Sequence, residues 1–234
     1  MARLRRLYAP DTTQLAQVGF AHPLAAPSDA TPADSLELLR DWLATEVRGQ
    51  ALALHGWAIL PDRIVLLATP ARADQIPKVM QGIGRRMATR LSFGRAFEGR
   101  YRSALVQDIW VSPALVWTET LAARLGVVDV SLRWPWSSAQ EHVGLRPDSG
   151  LLTDHPSYWL AGNTPFARQA AHRASLQAGT GSEEARRIER ALTGQWALGD
   201  ELFIQSMATR SSRAVAPKPR GRPRKPATET TVTK

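Results

Sequence analysis

The sequence predicts an α+β protein: a ferredoxin-like β-α-β-β-α-β antiparallel sheet with both helices on one face, plus a C-terminal helical extension and a disordered basic tail. Short apolar runs typical of strands alternate with longer segments of helical periodicity over residues 1–130. Residues 131–210 turn to short helices and aromatic-rich loops, and residues 211–234 show no periodicity. These three ranges are the predicted domains.

The first half of the sheet is predicted within residues 14–69. "QLAQVGF" (14–20) alternates weakly in polarity and is predicted as the first strand. Apolar residues at helical spacing predict a helix over 31–49 that Gly49 ends. "ALALHGWAILPDRIVLLATP" (51–70) then indicates two apolar strands, about 52–60 and 63–69, joined by a tight turn at Pro61-Asp62.

The second half is predicted from the same periodicities. Residues 72–93 form an amphipathic helix with arginines on its outer face, and "RSALVQD" (102–108) forms the last strand. A third helix is predicted over 112–126, capped by Ser112, with Pro113 at its first position and Gly126 at its end. Residues 182–210 predict two short helices around a turn at Gly199.

Composition predicts a soluble globular protein, since 44% of the residues are hydrophobic and 22% are charged. No run approaches the roughly 18 apolar residues of a membrane span, and no apolar segment follows the basic start as in a secretory signal. The absence of cysteine excludes disulfides, thiolate nucleophiles and cysteine-based zinc sites. A cytoplasmic, nucleoid-associated location is expected.

Positive charge is concentrated at the C-terminus. The formal net charge is +9, and residues 210–234 contain eight of the 30 basic residues but only one of the 21 acidic ones. Arginine outnumbers lysine, and its planar guanidinium suits phosphate contacts. This distribution predicts nucleic acid as a partner, although a GC-rich genome also enriches arginine.

The tail segment "KPRGRPRK" (218–225) contains Arg-Gly-Arg-Pro, the core of an AT-hook. Proline keeps such a segment extended, while arginines enter the narrow minor groove of A·T-rich duplex DNA. The predicted contacts are Arg220, Arg222, Arg224 and Lys225. The alternative is a generic basic tail that binds any polyanion.

Further DNA contacts are predicted in the folded part. Arg85, Arg86, Arg100 and Arg102 are candidates for a groove that follows the phosphate backbone, or else belong to a solvated face. Arg3, Arg5 and Arg6 are candidates for a mobile arm, or else flank the first strand. Tyr101 is predicted to be structural or to contact DNA.

The order of several phrases resembles the REP-associated tyrosine transposases, which cut single-stranded DNA and act on palindromic hairpins. The resemblance covers nearly the whole chain. The phrases that carry it are "ARLRRLYAP", "ALHGWAILPDRIVLLATP", "MQGIGRRMATRL", "FEGRYRSALV", "WPWSSAQEH", "LLTDHPSYWLAG", "ALTGQWALGDELFI" and "PRGRPRK". It implies single-stranded or hairpin DNA as the partner and a metal-dependent strand transfer.

The residues that the family's chemistry needs are absent from the aligned positions of this chain. The family holds a divalent metal such as Mg²⁺ with two histidines that flank one hydrophobic residue, and those positions are Arg63 and Val65. The family's nucleophilic tyrosine aligns with Trp117, whose indole has no nucleophilic oxygen. We therefore predict no catalytic residue, no metal ligand and no cofactor in this chain.

Other aromatic and histidine residues leave alternatives open. Trp117 and the tryptophans of "RWPWSS" (133–138) either stack on unpaired bases or fill the core. His55 is expected to pack or bond locally, and Tyr158 to pack a late helix. The remaining histidines, His22, His142, His155 and His172, show no paired spacing typical of a metal site.

The leading hypothesis is a catalytically inactive DNA-binding protein of transposase descent, a transposable-element pseudoenzyme with an AT-hook. One alternative is an active transposase that forms a phosphotyrosine intermediate with displaced residues. Others are a decaying remnant, or an inactive subunit or regulator that acts through a protein partner. A homodimer is possible, because family members are either dimeric or monomeric.

Overall fold

A computed structural model of the chain describes residues 6–25, 29–90, 94–211 and 213–217. The predicted β-α-β-β-α-β order is confirmed within the first 106 residues of the chain. Its elements are β1 (Thr13–Gly19), α1 (Ala33–Gln50), β2 (Ala53–Leu60), β3 (Arg63–Thr69), α2 (Gln75–Arg90) and β4 (Arg102–Val106). The predicted hairpin turn at Pro61-Asp62 joins β2 to β3.

The extension is mostly helical. Its elements are α3 (Asp108–Glu119), α4 (Leu121–Arg124), a 3-10 turn (Ser131–Arg133), α5 (Ala139–His142), α6 (Pro156–Trp159), α7 (Pro165–Ala178), α8 (Ser182–Gly194), β5 (Ala197–Leu198) and α9 (Glu201–Arg210). None of the helices described has the length and apolar character needed to cross a membrane. The tail predicted to be disordered begins at residue 211, but Val215 is buried and its carbonyl accepts from the Ala197 N–H at 2.8 Å. The prediction is therefore wrong for residues 213–217, and the tail from residue 218 onward lies outside the described residues.

The sheet has the strand order β2-β3-β1-β4-β5. The first four strands pair antiparallel, as predicted, and β5 adds to β4 in parallel. In this register Gln17 of β1 lies opposite both Val65 of β3 and Arg102 of β4. The sequence did not predict β5, whose two residues extend the sheet from the helical extension.

Both faces of the sheet are covered. α1 and α2 pack on one face, against Ile64 and Leu66 of β3. α3 and α8 pack on the other, against the alternate residues Val65 and Leu67. A strand buried on both faces carries a nearly continuous apolar run, which is the pattern that β3 shows. Every side chain near the middle of β3 is therefore a core residue.

The predicted start of the third helix is wrong. α3 begins at Asp108, directly after β4, and Pro113 lies inside the helix rather than at its first position. Gln107 precedes α3 without a side-chain capping bond; its side-chain amide instead donates to Asp200 Oδ2 at 2.8 Å and accepts from the Asp200 N–H at 2.8 Å. These bonds fix the end of β4 to the start of α9. Gly126, with φ of +71°, follows α4 at the predicted stop.

A pair of glycine substitutions tests this packing. A Cβ on Gly56 of β2 would lie 2.2 Å from Leu115 Cδ1 of α3, whereas one on Gly49 of α1 would meet nothing within 4 Å. We expect G56A to lower the free energy of unfolding by about 1–3 kcal/mol through overpacking. G49A should raise it by about 0.5–1 kcal/mol. Urea unfolding measures both, and a neutral G56A would contradict the described contact between β2 and α3.

Candidate nucleic-acid interface

The two β3 positions where the resemblance expects metal histidines have different environments. The Arg63 guanidinium donates to Asp62, with Nη2 2.6 Å from Oδ2, and this hydrogen bond raises the pKa of Arg63. Val65 is fully buried in the apolar layer beneath α3 and α8. One position is therefore an ion pair and the other is hydrophobic core, and neither offers a lone pair to a cation.

The position of the family's nucleophile is also part of the core. Trp117 of α3 is 3% exposed and belongs to the same apolar cluster as Val65. The Arg124 guanidinium lies over its indole, 4.7 Å from the ring centroid, and donates to its carbonyl oxygen at 3.0 Å. Its indole N–H has no hydrogen-bond partner among the described residues. Trp117 is thus a core residue.

A cleft of about 460 Å³ lies beside these positions. It is found where β1 ends and where β3 and β4 begin, next to the loop that precedes β4. Arg63, Arg100 and Arg102 line it together with Asp62 and Glu98. Three guanidinium groups against two carboxylates leave one excess positive charge. Arg100 and Arg102 are exposed, so two of the three guanidinium groups are accessible to solvent.

The predicted arginine groove is split by the fold. Arg85 and Arg86 are exposed on α2, which covers the opposite face of the sheet from α3, and they do not line the cleft. Arg86 Nε pairs with Glu46 Oε1 at 3.0 Å. Only Arg100 and Arg102 of the four predicted residues come together around the cleft.

Tyr101 points away from the cleft into the core beneath α1 and α2. It is 6% exposed, and the Arg6 guanidinium lies 4.5 Å from the centroid of its ring. Burial raises the pKa of Tyr101 to about 12, so its hydroxyl stays protonated at neutral pH. Tyr101 and Arg6 are therefore placed to support the fold. Arg3, Arg5 and the predicted tail contacts Arg220, Arg222, Arg224 and Lys225 lie outside the described residues.

The tryptophans of "RWPWSS" also belong to the packed interior. Trp134 is 2% exposed, and its indole N–H donates to the Ile59 carbonyl at 2.9 Å. Trp136 is partly buried, and its indole donates to Glu37 Oε2 at 3.1 Å. Burial leaves no free ring face on Trp134 or Trp117, so the core alternative holds for these two side chains.

A buried polar cluster joins α3 to the extension. Glu119, fully buried at the end of α3, accepts hydrogen bonds from His142 Nδ1 at 2.5 Å and His172 Nε2 at 2.6 Å. The Ser138 hydroxyl donates to the same carboxylate at 2.5 Å. Burial alone would raise the pKa of Glu119, but the two histidines hold it well below its usual range. Burial lowers and Glu119 raises the pKa of His142, and the net direction is upward.

A small cavity of about 40 Å³ adjoins this cluster. Four of the chain's five histidines line it, together with Tyr158. Among them, His55 Nδ1 lies 2.6 Å from the Thr153 carbonyl, and His55 Nε2 lies 2.8 Å from the Thr69 hydroxyl. Sequence reasoning missed this cluster, because Glu119 and its two histidine partners are 23 and 53 positions apart.

Restoring a family residue on β3 tests whether Val65 is core. We expect V65H to lower the free energy of unfolding by about 2–4 kcal/mol, since an imidazole there is both too large and without a partner. R63H is the matched control at the start of the strand, where the side chain is 30% exposed, and its effect should be below 1 kcal/mol. Equal stability of V65H and wild type in urea unfolding would contradict this packing.

The pH dependence of stability tests the environment of His55. Burial lowers the pKa of His55 from its usual 6.5 to about 4. Between these two values the unfolded chain binds a proton that the folded chain excludes, so stability falls as pH decreases through this window. The loss should reach about 3 kcal/mol near pH 4. H55Q should lack this part of the slope and H22Q should keep it, whereas parallel slopes for wild type and H55Q would refute the assignment.

Comparison with known proteins identifies a solved structure that has a similar fold. A solved structure of a REP-associated tyrosine transposase bound to a REP hairpin matches with a TM-score of 0.53 and 17% identity, covering 67% of this chain and 96% of its own. A candidate transposase from Deinococcus radiodurans matches 46% of this chain and 88% of its own at 19% identity, but its TM-score of 0.33 is too low to bear on the fold. No family model matches the sequence, and no curated protein matches it. The chain has the fold of the hairpin-bound transposase.

Proposed function

We propose that this chain is a DNA-binding protein of REP-associated tyrosine transposase descent that has lost strand cleavage. The fold shared with a hairpin-bound transposase supports the descent. The cleft lined by Arg63, Arg100 and Arg102 supports a contact with the phosphate backbone. Its partner is single-stranded or hairpin DNA, and its location is the cytoplasmic nucleoid.

The observation that carries this proposal is the shared burial of Val65 and Trp117. Both side chains lie in the apolar cluster between the sheet and the helices α3 and α8. Val65 contributes from β3 and Trp117 from α3, at positions where the family needs a metal ligand and a nucleophile. A divalent cation there would lose its water without gaining ligands, at a high cost in free energy. Catalysis at the family's position is therefore absent, and no Mg²⁺ is needed there.

The basic tail has a separate role in this proposal. Its Arg-Gly-Arg-Pro segment contacts A·T-rich duplex DNA through the minor groove, next to the hairpin held by the folded part. Contacts to two forms of DNA in one chain raise the affinity for a hairpin flanked by duplex. A homodimer would repeat this arrangement.

A working transposase with displaced residues is the second candidate, and Tyr158 is the observation in its favour. Its ring lies 5.2 Å from that of His142 and 5.8 Å from that of His172, beside the Glu119 carboxylate that binds both histidines. Its hydroxyl donates to the His142 carbonyl at 2.8 Å, and burial raises its pKa to about 12. A phenol held in this way is a poor nucleophile.

Incubation with a labelled hairpin separates the two candidates. The proposal predicts binding in a band-shift assay, with no cleavage and no covalent adduct on a denaturing gel in Mg²⁺ or Mn²⁺. An adduct abolished by Y158F but not by Y101F would support the displaced-residue enzyme and overturn the proposal.

Substitutions in the cleft test the DNA contact. R100A/R102A should bind single-stranded DNA more weakly, and its log–log slope of affinity against salt should be shallower by about 1–2, because two phosphate contacts are lost. R186A on α8, an exposed arginine outside the cleft, is the matched control. Wild-type binding by R100A/R102A would refute the cleft as a DNA contact.

Substitutions in the tail test the second DNA contact. R220A/R222A should lose binding of A·T-rich duplex DNA selectively.

A further inference from the structure

We propose that Glu119, His142 and His172 form a binding site for a divalent transition metal of the Zn²⁺ class. This site is separate from the family's metal position on β3, and it does not depend on the proposed function. One ligand atom from each residue lies within 4.8 Å of the other two, and all three residues are buried. No other such group of three occurs in the part of the chain that the structure describes.

The donor set fits a transition metal. Two imidazoles and one carboxylate are ligands that Zn²⁺, Co²⁺ or Fe²⁺ prefer, whereas Mg²⁺ prefers oxygen and water. The carboxylate presents one oxygen to each ring, with Oε1 near His142 and Oε2 near His172. A cation bound by both oxygens and both nitrogens is four-coordinate, the usual number for zinc in a structural site.

Metal binding requires the cluster to open. The present nitrogen-to-oxygen separations of 2.5 and 2.6 Å are those of hydrogen bonds. A nitrogen and an oxygen that each lie about 2.0–2.2 Å from a tetrahedral metal are about 3.4 Å apart, so each ring must move outward by about 0.8–0.9 Å. Both rings line the 40 Å³ cavity, which leaves space for that movement. The proton on each binding nitrogen passes to the other ring nitrogen or to water.

One hydrogen bond around the cluster is of the kind that orients a metal ligand. Ser138 donates to Glu119 Oε1 and fixes the carboxylate. A buried ionic cluster without a metal is a weak source of stability compared with apolar packing, whereas a metal adds its binding free energy to folding.

The site would connect three separate parts of the chain. Glu119 ends α3, His142 ends α5 and His172 lies in α7. A cation bound by all three would fix the extension against the helix that covers the sheet. The expected consequence is higher stability of the folded chain in the presence of the metal.

Cobalt and zinc binding by the full chain without a histidine tag tests the site. After removal of metal with a chelator, we expect a single equivalent of Co²⁺ to give visible d–d absorption. The chain has no cysteine, so no thiolate charge-transfer band should accompany it. Zn²⁺ should displace the Co²⁺ and raise the melting temperature. A wild-type chain that takes up no Co²⁺, and whose melting temperature Zn²⁺ leaves unchanged, would overturn the proposal and leave a hydrogen-bonded cluster only.

Variants distinguish ligands from orienting residues. H172Q and E119Q should each weaken Co²⁺ binding by more than about 100-fold, the upper end of what loss of an orienting partner costs. S138A should weaken it by about tenfold, and H22Q should bind as wild type does. Circular dichroism confirms that each variant is folded, and H172Q keeps the test decisive if E119Q does not fold. Loss of binding in H22Q but not in H172Q would place the metal elsewhere and refute the site.

Discussion

The structure depends on burial of the β-sheet on both faces. Antiparallel sheets commonly leave one face to solvent, but α1 and α2 cover one face here while α3 and α8 cover the other. This constraint decides what each residue of β3 can do. Val65 points into the layer that also contains Trp117, so the apolar core occupies the positions where the resemblance places a metal ligand and a nucleophile. The ends of the strands, where Arg63 and Arg102 lie, are the places left for polar contacts.

The extension is integral to this arrangement. β5 pairs with β4, α8 covers the sheet, and Gln107 at the end of β4 bonds to Asp200 at the start of α9. The Glu119 cluster adds a polar connection between α3 and α7. The helix α3, where the resemblance places a nucleophile, is thus held at both ends by the extension.

Much of the fold was predictable, because β1 to β4 and the first two helices depend on local periodicity and on a turn at Pro61-Asp62. The start of α3 was not, since Pro113 is typical of a first helical turn, whereas the helix begins at Asp108 and contains Pro113 in its interior. β5 has two residues and exists only through its pairing with β4.

The candidate site was predictable only in part. The residues at the positions where the resemblance places metal ligands and a nucleophile, Arg63, Val65 and Trp117, could be read directly from the sequence. The exposure of Arg100 and the burial of Tyr101, its neighbour in sequence, depend on tertiary structure. The Glu119 cluster had no sequence signal, since its members come together only when α5 and α7 pack against α3.

The central claim is that this scaffold holds DNA without a metal or nucleophile on its sheet. A crystal structure of the chain with a flanked hairpin, grown in Mn²⁺ and measured at the manganese absorption edge, tests it most directly. The account predicts an uncut strand with phosphates beside Arg100 and Arg102, and no anomalous peak next to Val65. A manganese ion coordinated by side chains of β3, or a phosphotyrosine bond to the strand, would contradict it.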